Sequence, residues 1–184
     1  EMGGTLTDQS ASSINIKLVD AIDNVSVNKE EAYRLTITPK AITVEAVAER
    51  GVYWAMQTLY QLKEEKGKKI RLQCATITDW PAFRIRGFMQ DVGRSYLSLE
   101  ELKREIAILS RFKINTFHWH LTENQAWRLE SKIFPMLNDS TNMTRMAGKY
   151  YTLEEARELT EFCKAHQVLL IPEIDIPGHS AAFI

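Results

Sequence analysis

Two rhythms of apolar and polar residues run along the chain. In the first, Ile14, Ile16 and Leu18 of SINIKLV alternate with polar neighbours, the two-residue period of a strand. YRLTITPKAITVEAV repeats that alternation on either side of Pro39-Lys40, which predicts two strands joined by a turn. Val52, Ala55, Leu59 and Leu62 then recur at three- and four-residue spacing, so a helix follows, with Gly67 placed to end it. KIRLQCATI reads as a closing strand. Residues 1–80 thus form a predicted small α+β domain, without a cluster of catalytic residue types.

Over 81–184 the rhythm is strand, helix, strand, helix, strand. RIRGFMQDV is a short strand, and SLEELKREIAILSRF is a helix opened by the capping box Ser98…Glu101, with Leu102, Ile106 and Leu109 on one face. INTFHWHL is the second strand, TLEEARELTEFCKAH a second helix with the box Thr152…Glu155, and VLLIPEID the third strand. Alternating βα units imply an α/β architecture, a parallel sheet with its helices outside. In such sheets the loops after the carboxyl ends of the strands build the site. Those loops hold Gly93-Arg94, the dense stretch FHWHLTENQAWRLE and the residues 175–179.

Side-chain alternation sharpens the expectation. Thr116, His118 and His120 share one face of the second strand, while Phe117, Trp119 and Leu121 share the other and should meet the helices. In the third strand Glu173 and Asp175 fall on one face, with Val168, Leu170 and Ile174 opposite. The segment 132–149 lacks periodicity and is expected to cross the top of the site as a loop.

A closed (β/α)8 barrel takes about 250 residues, more than the 184 of this sequence. Three strands cannot close, and the sequence stops at SAAFI without a terminating helix. The choices are a truncated barrel or a small open α/β domain with an uncovered edge. Hydrophobic residues at 45% and charged ones at 26% are ordinary for a globular fold. A formal net charge of −1 leaves no basic footprint for nucleic acid or anionic lipid, which favours small neutral or mixed-charge ligands. No apolar run approaches the roughly 20 residues of a membrane span, so no membrane partner is expected, and EMGGTLTDQS lacks the apolar core of a signal peptide. Cys74 and Cys163, far apart in apolar surroundings, are expected to be buried free thiols.

RIRGFMQDVGR, FHWHLTENQAWRLE, YYTLEEARELTEFCKAH and PEIDIPGHS resemble, in order and spacing, the first three βα units of the family 20 glycoside hydrolases, the β-N-acetylhexosaminidases. The stretch YRLTITPKAITVEAVAERGVYWAMQTLYQL is similar to the small α+β domain that precedes their TIM-type barrel. The resemblance implies removal of terminal β-linked N-acetylglucosamine or N-acetylgalactosamine with retention, the substrate's own acetamide acting as nucleophile, an exception to the two-carboxylate scheme. It implies an oligosaccharide or glycoconjugate substrate, no cofactor, no metal, and a periplasmic or secreted location, lysosomal in an animal.

Carried over by position, Arg94, in the DVGR that matches the family's Asp-x-Ser-Arg, would bind sugar hydroxyls through its planar five-donor fork. Glu123 falls where the family has the first aspartate of HLTDD, and His179 matches the histidine of PGH; the resemblance makes these two a relay to the catalytic acid. Asn124 and Ala126 depart from the pattern, and Asn124 cannot ionise. His120 and Asp175 also match, either in direct function or in a buried network. Trp127 could line a sugar subsite, Trp119 belongs to the core, and Arg86 is structural. The family's adjacent Asp-Glu pair, which orients the acetamide and supplies the general acid, occurs nowhere in these residues. The expectation is the front part of a hexosaminidase, inactive alone and prone to self-association through unclosed edges.

Two other readings compete. His118-x-His120 with Glu173, Asp175 and His179 offers the ligands of a metal-dependent barrel hydrolase. The Glu-Asn departure and the missing pair fit a degenerate, non-catalytic carbohydrate-binding protein. Asn24, Asn138 and Asn142 open glycosylation triplets, a match common by chance.

Overall fold

A computed structural model describes residues 13–67 and 69–183. The chain divides into two compact units, Glu1–Arg84 and Ile85–Ile184. In the first, strands β1 (Ser13–Leu18), β2 (Tyr33–Ile37) and β3 (Ala41–Ala46) precede helix α1 (Glu49–Gln61), followed by β4 (Glu64–Lys66), β5 (Lys69–Arg71) and β6 (Ala75–Asp79). The main sheet has the order β1-β3-β2-β6. β2 and β3 pair antiparallel around the expected turn, and β6 pairs antiparallel with β2. Tyr33, Leu35, Ile37, Val44 and Ala46 face Trp54, Ala55 and Leu59 of α1 to form the core. Gly51 permits that close packing, because a Cβ there would lie 2.4 Å from the Ala32 carbonyl oxygen.

β1 is the expected strand, but it is an edge strand exposed along its length, so periodicity there marks register without burial. Three expectations fail in this unit. KIRLQCATI is two strands in different sheets: β5 pairs with β4 in a charged hairpin, and β6 joins the main sheet. Gly67 therefore adopts its positive φ of 61° in that hairpin turn, while α1 ends at Gln61, with Leu62 as its C-cap. Cys74 is exposed, contrary to its apolar sequence context, because it sits between the two strands; Cys163 is buried as expected, and both thiols are free.

The second unit alternates strands with helices: β7 (Gly87–Asp91), α2 (Leu99–Arg111), β8 (Thr116–His120), α3 (Leu153–Ala165) and β9 (Leu169–Glu173). The strands are parallel in the order β7-β8-β9. Both capping boxes form: Ser98 Oγ accepts from the Glu101 N–H at 3.3 Å, and Thr152 Oγ1 from that of Glu155 at 3.1 Å. Phe117, Trp119 and Leu121 are almost fully buried against Leu102, Ile106, Leu159 and Cys163, as their alternation demanded. β9 ends at Glu173, so Ile174 lies beyond the ladder and is exposed instead of sharing the inward face of Val168 and Leu170. On the sheet face away from the helices, Met89, Leu169 and Ile171 remain exposed.

Candidate active site

Strand register sets the floor of the site. Asp91, His120 and Glu173 lie side by side at the carboxyl ends of β7, β8 and β9. Asp91 shapes the turn after β7, accepting from the Arg94 N–H at 3.0 Å and from Arg94 Nη1 at 2.5 Å. The Asp91 carboxylate, opposed by partial desolvation and assisted by Glu123, keeps the Arg94 guanidinium more firmly protonated than usual.

Arg94 Nη2 donates to Glu123 Oε1 and lies 3.4 Å from His179 Nδ1. Glu123 is 1% exposed, held in a tight turn where its N–H donates to the Ala126 carbonyl at 3.0 Å. Its Oε1 also meets His179 Nδ1, and its Oε2 accepts from the Asn124 N–H at 2.6 Å. The longer side chain at 123 therefore does reach His179. Gly93 provides the room: a Cβ on it would fall 2.7 Å from Glu123 Cβ.

His179 follows Gly178 in the left-handed region, φ 52°, a conformation rare for a residue with a Cβ, which aims its ring back over the strand ends. Asp175 Oδ2 stands 3.9 Å from His179 Nε2, and the Asp175 N–H donates to Thr122 Oγ1 at 3.0 Å. Asn124 is exposed, and its Oδ1 accepts from the Ala181 N–H at 3.2 Å, tying the loop after β8 to the loop after β9. Trp127 is half-buried, donates to the Leu129 carbonyl and stands edge-on to Phe183. Arg86 Nε donates to the Lys113 carbonyl at 2.6 Å, in keeping with a structural part.

The predicted metal set does not assemble. His118 Nε2 and His120 Nδ1 both turn onto the same oxygen of Glu173, at 2.5 and 2.8 Å. Partial burial works to raise the Glu173 carboxyl, but the His120 hydrogen bond and the two neighbouring imidazoles outweigh it and hold the group below its usual range. Among the described residues, the three that converge as ligands are His120, Glu123 and His179.

Sequence reasoning passed over Arg128, which is fully buried. Its guanidinium donates to the carbonyls of Val92 and Gly93 at 3.0 and 3.1 Å, and to those of Arg145, Met146 and Lys149 at 2.8, 3.1 and 2.7 Å. One side chain thus fastens part of the 132–149 loop, which contains the short turns Pro135–Asn138 and Ser140–Asn142, to the turn that carries Arg94. Burial lowers its pKa, opposed by Tyr151 and Tyr96. An arginine between Trp127 and Leu129 gives no local sign of partners so far along the chain. Asn138 and Asn142 are both engaged through Nδ2, with the carbonyls of Leu129 and Met136.

Residues 83–184 match the family described as glycosyl hydrolase family 20, catalytic domain, and residues 2–80 match its domain 2. A β-hexosaminidase of Porphyromonas gingivalis is 38% identical over 174 residues, covering 88% of this chain and 22% of its own length. The crystal structure of a β-N-acetylhexosaminidase from Bacteroides fragilis superposes with a TM-score of 0.82 at 34% identity, over 94% of this chain and 35% of its own. An exo-β-N-acetylglucosaminidase from Vibrio harveyi, solved in complex with N-acetylglucosamine, gives 0.81 at 33% identity, over 92% of this chain and 28% of its own. The chain thus spans about a quarter to a third of the length of these relatives. With both of its units matched, the chain belongs to glycosyl hydrolase family 20.

Proposed function

We propose that these residues are the front part of a β-N-acetylhexosaminidase, comprising the small α+β domain and the first three βα units of its (β/α)8 barrel. The observation that carries the reading is the meeting of Arg94, Glu123 and His179, from three separate strand ends, at one point. Asp91 and Glu123 fix the guanidinium from one side, and its half-exposed remainder offers N–H donors for the hydroxyls of a terminal sugar. Glu123 holds the His179 ring in place, which suits a relay that positions a general acid. His120, Glu173 and Asp175 form the supporting floor.

The substrate's acetamide is the nucleophile in this reading. Its orienting carboxylate and the general acid are supplied by chain outside these 184 residues, which contain no adjacent Asp-Glu pair. The protein acts in the periplasm, outside the cell or, in an animal, in the lysosome, and subcellular fractionation tests that placement.

Release of a chromophore from an aryl β-N-acetylglucosaminide tests the activity. The 184-residue chain is expected to give none, and the longer reading frame to give turnover that survives a chelator. Arg94→Ala in that longer chain is expected to lower kcat/KM by on the order of 100-fold. Turnover by the 184 residues alone would overturn the assignment of the acid.

A further inference from the structure

His120 carries a lone pair that the fold leaves unused. Its Nδ1 faces the Glu173 carboxylate, which accepts, so the proton of the neutral ring resides on Nδ1 and Nε2 is the bare nitrogen. Nε2 is buried and without a partner among the described residues, in a side chain 7% exposed. Buried polar atoms normally find a hydrogen bond, and a lone pair fixed in this way by a carboxylate on the opposite nitrogen is the usual preparation of a metal ligand.

Two further donors lie beside His120: one ligand atom each of His120, Glu123 and His179 falls within 4.8 Å of the other two. The His120 and His179 rings stand 5.6 Å apart between centroids and at 85°, so their nitrogens can address a common point without stacking. Zinc takes imidazole nitrogen and carboxylate oxygen at about 2.0–2.2 Å. A modest turn of the half-exposed His179 side chain closes the remaining gap. Outer partners are already present: Glu173 on His120, and Asp175 Oδ2 at 3.9 Å from the far nitrogen of His179.

We infer that His120, Glu123 and His179 form a binding site for a divalent transition-metal cation, zinc by its two-nitrogen, one-oxygen donor set, which competes with Arg94 for Glu123. Arg94 is 46% exposed and keeps Asp91 as a partner when it leaves. A fourth position stays open to water. This inference rests on the local geometry and not on the hexosaminidase reading.

The test is calorimetric titration of the metal-free 184-residue chain with zinc, repeated with cobalt to follow its visible absorption, and circular dichroism to establish folding. A single equivalent is expected. His120→Ala and His179→Gln should each weaken binding by on the order of 100-fold, and Glu173→Gln, which loosens only the orientation of His120, by on the order of 10-fold. Arg94→Ala should tighten it by on the order of 10-fold, since a charge-assisted bond to Glu123 no longer has to be broken. His166→Gln should change nothing, because that ring faces the Phe162 carbonyl. No uptake by the folded chain overturns the proposal, as does zinc affinity indifferent to His179→Gln or weakened by Arg94→Ala. Those last two variants decide the matter even where His120→Ala does not fold. None of these readouts involves turnover, so failure here and failure of the hexosaminidase reading are separable.

Discussion

The space where Gly93 lacks a side chain is occupied by Glu123, whose Cβ and Cγ would lie 2.7 and 3.2 Å from a Cβ on residue 93. Gly93 stands where the motif it resembles has serine, and Glu123 where that motif has aspartate, so the two departures face each other. Gly93→Ser is expected to destabilise the second unit by about 1–3 kcal/mol through overpacking, and to drive Glu123 off Arg94. Adding Glu123→Asp should recover part of that loss, giving a coupling above about 0.5 kcal/mol in a urea double-mutant cycle. Strict additivity would mean the two positions do not compensate. The thiols give a second check at this scale. Desolvation pushes the Cys163 thiol up to about 12, so at pH 8 it is protonated as well as buried. A thiol reagent at pH 8 should modify Cys74 alone in the folded chain and both residues after denaturation; fast labelling of Cys163 in folded protein would contradict the packing. The sequence context of Cys74 is as apolar as that of Cys163, and only the position of each in its sheet or helix separates them.

Helices and strands differed in how openly the sequence announced them. The capping boxes at Ser98 and Thr152 were legible because both partners lie within one turn, and the inward face of β8 because alternation is local. The β4-β5 hairpin was not, since five of its six strand residues are charged and leave no apolar period to read. The loop at 132–149 was legible only as an absence of period, because the tether that orders it is Arg128, bonded to carbonyls between 17 and 36 positions away. Arg128→Met removes that tether and takes the guanidinium donor from the carbonyls of the buried residues Val92 and Gly93, at about 1–3 kcal/mol for each group left unsatisfied. Hydrogen exchange should rise first across 131–150 and in the Gly93-Arg94 turn. Exchange confined to the termini of the unit would show that the loop is held by something else. Thr152→Ala, by contrast, loses one cap and should lower stability by about 1 kcal/mol, read as a shift in urea midpoint.

At the scale of the whole molecule the unsatisfied part is a sheet rather than a side chain. β7 and β9 are the edges of their three-stranded sheet, and the face turned from the helices exposes Met89 at 53%, Leu169 at 59% and Ile171 at 42%. Open edges with apolar neighbours are templates for pairing with another chain. A net charge of −1 offers little repulsion against it. In the hexosaminidase reading the same edges and face are those that further βα units would cover. Sedimentation velocity on the 184-residue chain should show the average mass rising with concentration. Ile171→Lys, which places a charge on the apolar face beside the β9 edge, should suppress that rise while leaving the helix-side core untouched. A longer reading frame that completes the barrel should suppress it without any substitution. If the wild-type chain stays monomeric at every concentration, the exposed edges and apolar face do not drive association, and strand pairing is not what limits its solubility.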